Sequence, residues 1–230
     1  QHILAVPDEF PTNSSGSNSP NYVGDFTGDG RPDLLLTRYY PLPGIITVLP
    51  GNASGGFGTP IVSTFASVPY PVTVGDFNED GRLDVLGPTF SGTVSQKKLQ
   101  VFFGNGAGGF SSGPILPGPP DTPKSLASAD FDWDGHLDFV YSYFDSMQVH
   151  FGDGAGGFPR RQVLTVPIWI TPTGLRASDV NGDGRPDLLY SVGLVTARLS
   201  LGGGAFGPEV SAYPFGGDVG AVMDFNGDGR

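Results

Sequence analysis

Asp76-Phe-Asn-Glu-Asp80-Gly-Arg-Leu-Asp84 is one of five copies of the same acidic loop. The others read Asp25-Phe-Thr-Gly-Asp29-Gly-Arg-Pro-Asp33, Asp130-Phe-Asp-Trp-Asp134-Gly-His-Leu-Asp138, Asp179-Val-Asn-Gly-Asp183-Gly-Arg-Pro-Asp187 and Asp224-Phe-Asn-Gly-Asp228-Gly-Arg230. Oxygen-bearing side chains stand at positions 1, 3, 5 and 9, and all five copies have Gly at position 6. Calcium is a hard cation that takes about six to eight oxygens at roughly 2.3–2.6 Å. Asp is the shortest carboxylate, so alternate Asp and Asn on a tight turn converge on one point. The Gly permits the backbone to turn back around the ion.

This chemistry assigns a ligand set to each loop. The side chains are Asp25, Thr27, Asp29 and Asp33; Asp76, Asn78, Asp80 and Asp84; Asp130, Asp132, Asp134 and Asp138; Asp179, Asn181, Asp183 and Asp187; and Asp224, Asn226 and Asp228. The position-7 carbonyls of Arg31, Arg82, His136, Arg185 and Arg230 complete the sets, with their side chains directed elsewhere. The expected cofactor is Ca2+, about one ion per repeat, with a structural role. The loop at Asp130 carries four carboxylates and should bind tightest, because ligand charge tunes affinity. Thr27 makes the first loop weaker. Asx turns without metal are the plainer reading of any single loop; five in register argue against it.

The position-1 Asp recurs at 25, 76, 130, 179 and 224, with spacings of 51, 54, 49 and 45 residues. A second motif keeps step: Gly55-Gly-Phe57, Gly108-Gly-Phe110, Gly156-Gly-Phe158 and Gly204-Ala-Phe206, preceded by Pro50-Gly-Asn, Gly104-Asn-Gly, Gly152-Asp-Gly and Gly202-Gly-Gly. Each period holds four short β-type runs. In the first these are Tyr22-Val-Gly, Leu34 to Tyr39, Ile45 to Leu49 and Pro60 to Phe65. Short apolar or alternating runs between Gly, Pro and Asn are strands joined by turns. Four strands per repeat of about 50 residues is the arithmetic of a β-propeller blade. The expected fold is therefore all-β, a propeller of four complete four-stranded blades and a partial fifth.

The repeats should span about 21–70, 71–123, 124–173 and 174–217, with the partial one at 218–230, all in one domain over 21–230. Residues 1–20 read as a strand, Ile3-Leu-Ala-Val6, followed by a polar linker; that strand would close the last blade. The residues before the first loop Asp are Gly24, Gly75, Ala129, Ser178 and Met223, mostly small. They fit a crowded inner strand along a central channel, or simply a turn.

The paired motifs resemble the FG-GAP, or integrin-alpha-type, repeats. Phe103-Gly-Asn-Gly106 and Gly108-Gly-Phe110 match the element that names the family, and Asp224-Phe-Asn-Gly-Asp-Gly-Arg230 matches its calcium loop. The resemblance covers residues from about 21 to 230. It implies calcium loops that join the first and second strands of each blade on one rim. Family propellers usually have seven blades, so it implies a larger ring of which these repeats are part. The family includes adhesion receptors, lectins and appendages of carbohydrate-active enzymes. The resemblance therefore implies an extracellular or secreted binding module, for a glycan or an extracellular protein ligand. The fifth repeat stops inside its loop, which fits a fragment, a longer chain or a ring completed by another copy. Open blade faces would favour self-association.

The net charge of -11 follows from the loops, since fifteen of the 23 acidic residues are loop Asp. Five divalent ions would bring it to -1. No basic patch is present to hold phosphates, which argues against a nucleic-acid partner. With no Cys, neither disulfides nor thiol chemistry are available, and bound calcium would supply the missing staples. No apolar run approaches the roughly 20 residues of a membrane span. The start at Gln1 fits a processed secreted protein or a trimmed chain, and Asn13-Ser-Ser and Asn52-Ala-Ser are formal glycosylation sequons.

Enzyme chemistry finds little support. His2, His136 and His150 lack metal-ligand spacing, and no nucleophile elbow or phosphate loop occurs. The alternative to a binding module is a domain of a carbohydrate-active enzyme, such as a calcium-dependent polysaccharide lyase. Trp133, Trp169, Tyr39 and Tyr40 are the aromatics read either as sugar contacts or as packing between blades.

Overall fold

The computed structural model describes residues 22–38, 42–67, 71–90, 97–118, 122–166 and 170–213. Among the described residues sixteen strands form four antiparallel sheets of four, each a meander in chain order. The first blade comprises β1 (Tyr22–Gly24), β2 (Asp33–Arg38), β3 (Gly44–Leu49) and β4 (Ile61–Phe65). The second comprises β5 (Thr73–Gly75), β6 (Asp84–Phe90), β7 (Lys97–Gly104) and β8 (Phe110–Pro117). β9 (Ser125–Ala129), β10 (Asp138–Tyr143), β11 (Ser146–Phe151) and β12 (Arg160–Thr165) make the third. β13 (Thr173–Ser178), β14 (Asp187–Ser191), β15 (Val195–Gly202) and β16 (Ala205–Tyr213) make the fourth. The expected four-stranded blades are present, each with its acidic loop between first and second strands. Among the described residues no helix is long and apolar enough to cross a membrane.

The chain divides into two compact units. One is Gln1–Asp76 with Asp80–Pro120; the other is Phe77–Glu79 with Asp121–Arg230. In the first unit, strand alternation puts Leu35, Ile46 and Val48 of the first blade against Val72, Val85 and Phe102 of the second. Period-2 pleating sends the intervening residues to the other face. In the second unit Val140, Met147, Val149 and Phe151 of the third blade meet Leu175, Leu188 and Tyr190 of the fourth. β11 is buried at every residue. Its second face carries His150, whose ring stacks on Phe139 at 4.7 Å and 13°. The outer strands are partly solvated, with Val62, Ile115, Val163 and Val210 exposed.

The small residue before the first loop has a steric cause. A Cβ on Gly24 would come within 2.6 Å of Leu83 Cδ1, so the first blade's inner strand admits the Leu side chain of the second loop. Residues 1–20, Tyr39, Tyr40, Trp169 and the partial repeat at 218–230 lie outside the described residues.

Candidate metal centre

The four described loops share one backbone shape, set by hydrogen bonds to their own carboxylates. Asp25 Oδ1 accepts from the amides of Gly28 (2.7 Å) and Asp29 (3.1 Å), and its Oδ2 accepts from Gly30 (2.8 Å). Asp76, Asp130 and Asp179 repeat the bond from position 6 at 2.8, 2.9 and 2.7 Å. The position-5 Oδ1 accepts from the position-7 amide in every described copy, at 2.9, 3.0, 2.9 and 2.9 Å. Gly30, Gly81, Gly135 and Gly184 have φ of 80°, 80°, 95° and 86°. This left-handed conformation is the one that Gly adopts at no steric cost.

The position-9 carboxylate does more than line the loop. Asp33 is 1% exposed, and its Oδ2 accepts from the amides of Phe26 and Thr27 and from the Thr27 hydroxyl, all at 2.9 Å. Its Oδ1 accepts from Gly51 N at 2.8 Å. The same span recurs in the third blade, where Asp138 accepts from Phe131 N and Gly152 N at 2.8 Å each. In the second, Gly104 N donates to Asp84 at 2.9 Å; in the fourth, Val180 N and Ser200 N donate to Asp187 at 3.1 and 2.8 Å. The aspartate thus ties the loop to the last residues of the third strand or the turn just beyond it. The turn must come very close to do this. A Cβ on Gly51, Gly104 or Gly152 would lie 2.1, 2.2 or 2.3 Å from the carbonyl oxygen of Pro32, Leu83 or Leu137.

In the third loop Asp130, Asp132 and Asp138 each present an oxygen, and these lie within 4.8 Å of one another. Among the described residues no other set of three or more His, Asp or Glu side chains converges in this way. Burial pushes the Asp138 carboxyl up to about 7, against the two amide bonds, and the charges of Asp132 and Asp130 add to the rise. Asp132 is raised as well, first by burial and then by Asp134. Crowded, partly desolvated carboxylates are a site where a cation is electrostatically favoured. An all-oxygen donor set with several carboxylates suits calcium. Asp134 joins that set in sequence, but here its Oδ1 accepts from His136 N. Arg160 pairs with Asp132 Oδ2, and its guanidinium lies 3.4 Å from the Phe151 ring centre. Asp224, Asn226, Asp228 and Arg230 lie outside the described residues.

Two features escaped the sequence reading. Position 4 is left-handed: Gly28 and Gly182 have φ of 71° and 78°, and Glu79 and Trp133 take 58° and 67° in the same place. Both non-glycine residues reach the position-7 side chain of the following loop. Glu79 Oε1 lies 2.5 Å from His136 Nδ1, a bond that raises the His136 pKa. Arg185 sits 5.1 Å from the Trp133 ring centre, in cation–π range. Trp133 is still 56% exposed. The clue available in sequence was Gly at position 4 in three of the five loops.

The second feature is the task of the Gly-Gly-Phe motif. Gly108 N donates to Phe26 O, and Gly156 N to Phe77 O, at 2.9 Å each. The motif's ring then packs on the position-2 Phe of the preceding loop. Phe26–Phe110, Phe77–Phe158 and Phe131–Phe206 have centroids 6.3, 5.9 and 5.8 Å apart. The two motifs recur in phase because each repeat's turn grips the loop before it.

A family profile for FG-GAP-like repeats matches residues 25–87, 90–141 and 134–190, most of the chain. The chain belongs to the FG-GAP-like repeat family. Among solved structures, this FG-GAP-like chain is similar to an Agrocybe aegerita lectin, described as specifically recognising non-reducing terminal N-acetylglucosamine. Identity is 20% and the TM-score 0.58, over 84% of this chain and 51% of the lectin chain. The FG-GAP-like chain thus spans about half the length of that structure. No curated protein matches it in sequence.

Proposed function

We propose that this chain is a calcium-stabilised, carbohydrate-binding module that works outside the cell. The glycan part is carried by the fold held in common with a lectin for terminal N-acetylglucosamine. Exposed aromatic rings agree with it, since Trp133 and Phe144 are 56% and 58% exposed and offer flat apolar faces to a sugar. The calcium part is carried by the convergence of Asp130, Asp132 and Asp138. In this reading Asp130, Asp132 and Asp138, with Asp134 once its oxygen turns inward, hold one ion, and the other loops hold theirs through the corresponding residues. The ion neutralises carboxylates that otherwise repel, and so braces the rim. A site of this kind suits millimolar extracellular calcium.

The test is a glycan array probed with the protein in millimolar calcium and in chelator. Retention of neutral glycans in calcium, weakened by the chelator, is expected. A folded, calcium-loaded protein that retains no glycan would return the function to adhesion through a protein ligand. Turnover of acidic polysaccharide by the same sample would make it a lyase.

A further inference from the structure

The geometry points to a saccharide subsite in the third blade, at the end of β10 away from the metal loop, lined by Tyr143, Phe144, Asp145, Ser146 and Thr171. This rests on the carbohydrate-binding reading above and gives it a location. These five residues line an open cleft of about 340 Å³, at the small end of the range for ligand sites, roughly 300–1,000 Å³.

Phe144 is the residue that local structure does not account for. Tyr143 pairs with Ser146, so Phe144 and Asp145 form a two-residue hairpin turn. Phe144 has φ of 46°. Tight hairpins want Gly, Asn or Asp where φ is positive, and a bulky side chain there is an outlier. At the corresponding turn of the fourth blade the left-handed residue is Gly193, with φ of 81°. Among the described residues the other two non-glycine residues with positive φ, Glu79 and Trp133, each meet a position-7 partner. Phe144 instead remains 58% exposed, with an edge contact to Tyr143 at 6.3 Å. An observed backbone outlier with an outward-facing ring is a pointer to ligand contact.

The platform beneath the ring is firm. Phe139, Tyr141 and Tyr143 line one face of β10, with centroids 6.3 and 5.7 Å apart in succession. Among the described residues that line the cleft the polar side-chain groups are carboxylate and hydroxyl: Asp145, whose Oδ1 accepts from Ser146 Oγ at 3.1 Å, and the hydroxyls of Tyr143 and Thr171. A pyranose matches both parts. Its C–H face rests on an aromatic ring, and its hydroxyls donate to the carboxylate and exchange hydrogen bonds with the others. Among the described residues no side chain lining the cleft is basic, so uronates, sulfated sugars and phosphates meet no counter-charge from them.

The probe is chitobiose, with affinity followed by calorimetry in calcium for the wild type, Phe144→Gly and Asp145→Asn, and melting recorded for each. Gly is at ease at positive φ, so Phe144→Gly should melt no lower than the wild type and yet bind about tenfold more weakly or worse, the scale of one good contact. Asp145→Asn should bind more weakly with its melting unchanged. If the wild type binds chitobiose and both variants bind it equally well, the subsite is elsewhere and the carbohydrate reading stands. If the wild type binds neither chitobiose nor any glycan of the array, both readings fall. Phe144-dependent binding of choline with chitobiose ignored would make this a cation cage and overturn the saccharide assignment.

Discussion

Replacing Asp33 separates the hydrogen-bonding role of its carboxylate from its proposed role as a metal ligand. Asp33→Ala removes the acceptor of four hydrogen bonds, from Phe26 N, Thr27 N, Thr27 Oγ1 and Gly51 N. Three of these donors are backbone amides, and Phe26 is itself buried at 3% exposure. A hydrogen bond to a charged group contributes about 1.5–3 kcal/mol, and a buried donor left unsatisfied costs about 1–3. Three amides then put the loss at about 4.5–9 kcal/mol, a large part of the roughly 5–15 kcal/mol that usually holds a domain together. Asp33→Asn keeps one oxygen and turns an amide donor towards amide donors, so about half that loss is expected. The assay is urea denaturation in chelator, where no ion contributes. Asp29→Ala serves as the control: its position-5 carboxylate is exposed and holds one backbone amide, from Arg31, and one guanidinium. In chelator it should cost about 1 kcal/mol or less, with a larger loss only in calcium. If Asp33→Asn is as stable as the wild type in chelator, the aspartate is a ligand and no latch, and the reasoning fails.

Calcium should raise the melting temperature over chelator, since each ion adds about 2.7 kcal/mol at 100 times its dissociation constant; identical melting in the two buffers would sink the metal assignment. Gly104→Ala, whose new Cβ would sit 2.2 Å from Leu83 O, should lose about 3 kcal/mol by urea denaturation, whereas Gly58→Ala, with 3.6 Å to its nearest neighbour, should be close to neutral. His150 is pushed down to about 4, first by burial. The unfolded chain takes up that proton near pH 6.5 and the folded chain only near 4, so stability present above 6.5 falls by up to about 3 kcal/mol as the pH drops to 4. His150→Gln should remove that part of the pH slope in chelator, and an unchanged slope would refute it.

The period and strand count were legible because turn chemistry and pleating are local. Ile45 to Leu49 was read as a strand and lies within β3, Gly44–Leu49. β2 was read one residue late, from Leu34 to Tyr39, because an Asp rarely starts a strand; here Asp33 pairs with Gly24 and closes the latch. Position 9 was read as a metal ligand alone, since one of its amide donors comes from a segment up to 20 residues away. The φ at position 4 was hidden where Glu79 and Trp133 replace Gly. The fourth repeat misled for a related reason. Gly202-Gly-Gly looks like the other Gly turns, yet Ser200 supplies the latch amide, and the β15–β16 register shifts around it. Composition cannot distinguish such registers. Phe144 passed unnoticed because nothing in an exposed Phe reports its backbone angle.

The latch at position 9 also bears on how such repeats diverge. Each loop keeps its shape through the aspartates at positions 1 and 9 and their backbone partners, so the side chains at positions 3 and 5 carry less of the work of holding the chain together. Thr27 already stands at position 3 of the first loop, where its hydroxyl binds the latch carboxylate. Under the calcium reading a blade can therefore surrender its ion by small steps at positions 3 and 5, one side chain at a time, and remain a blade. Substitution at Asp33, Asp84, Asp138 or Asp187 has no comparable gradual path. Drift within an array like this one should produce silent, metal-free blades that still fit between their neighbours, and should seldom produce a gap.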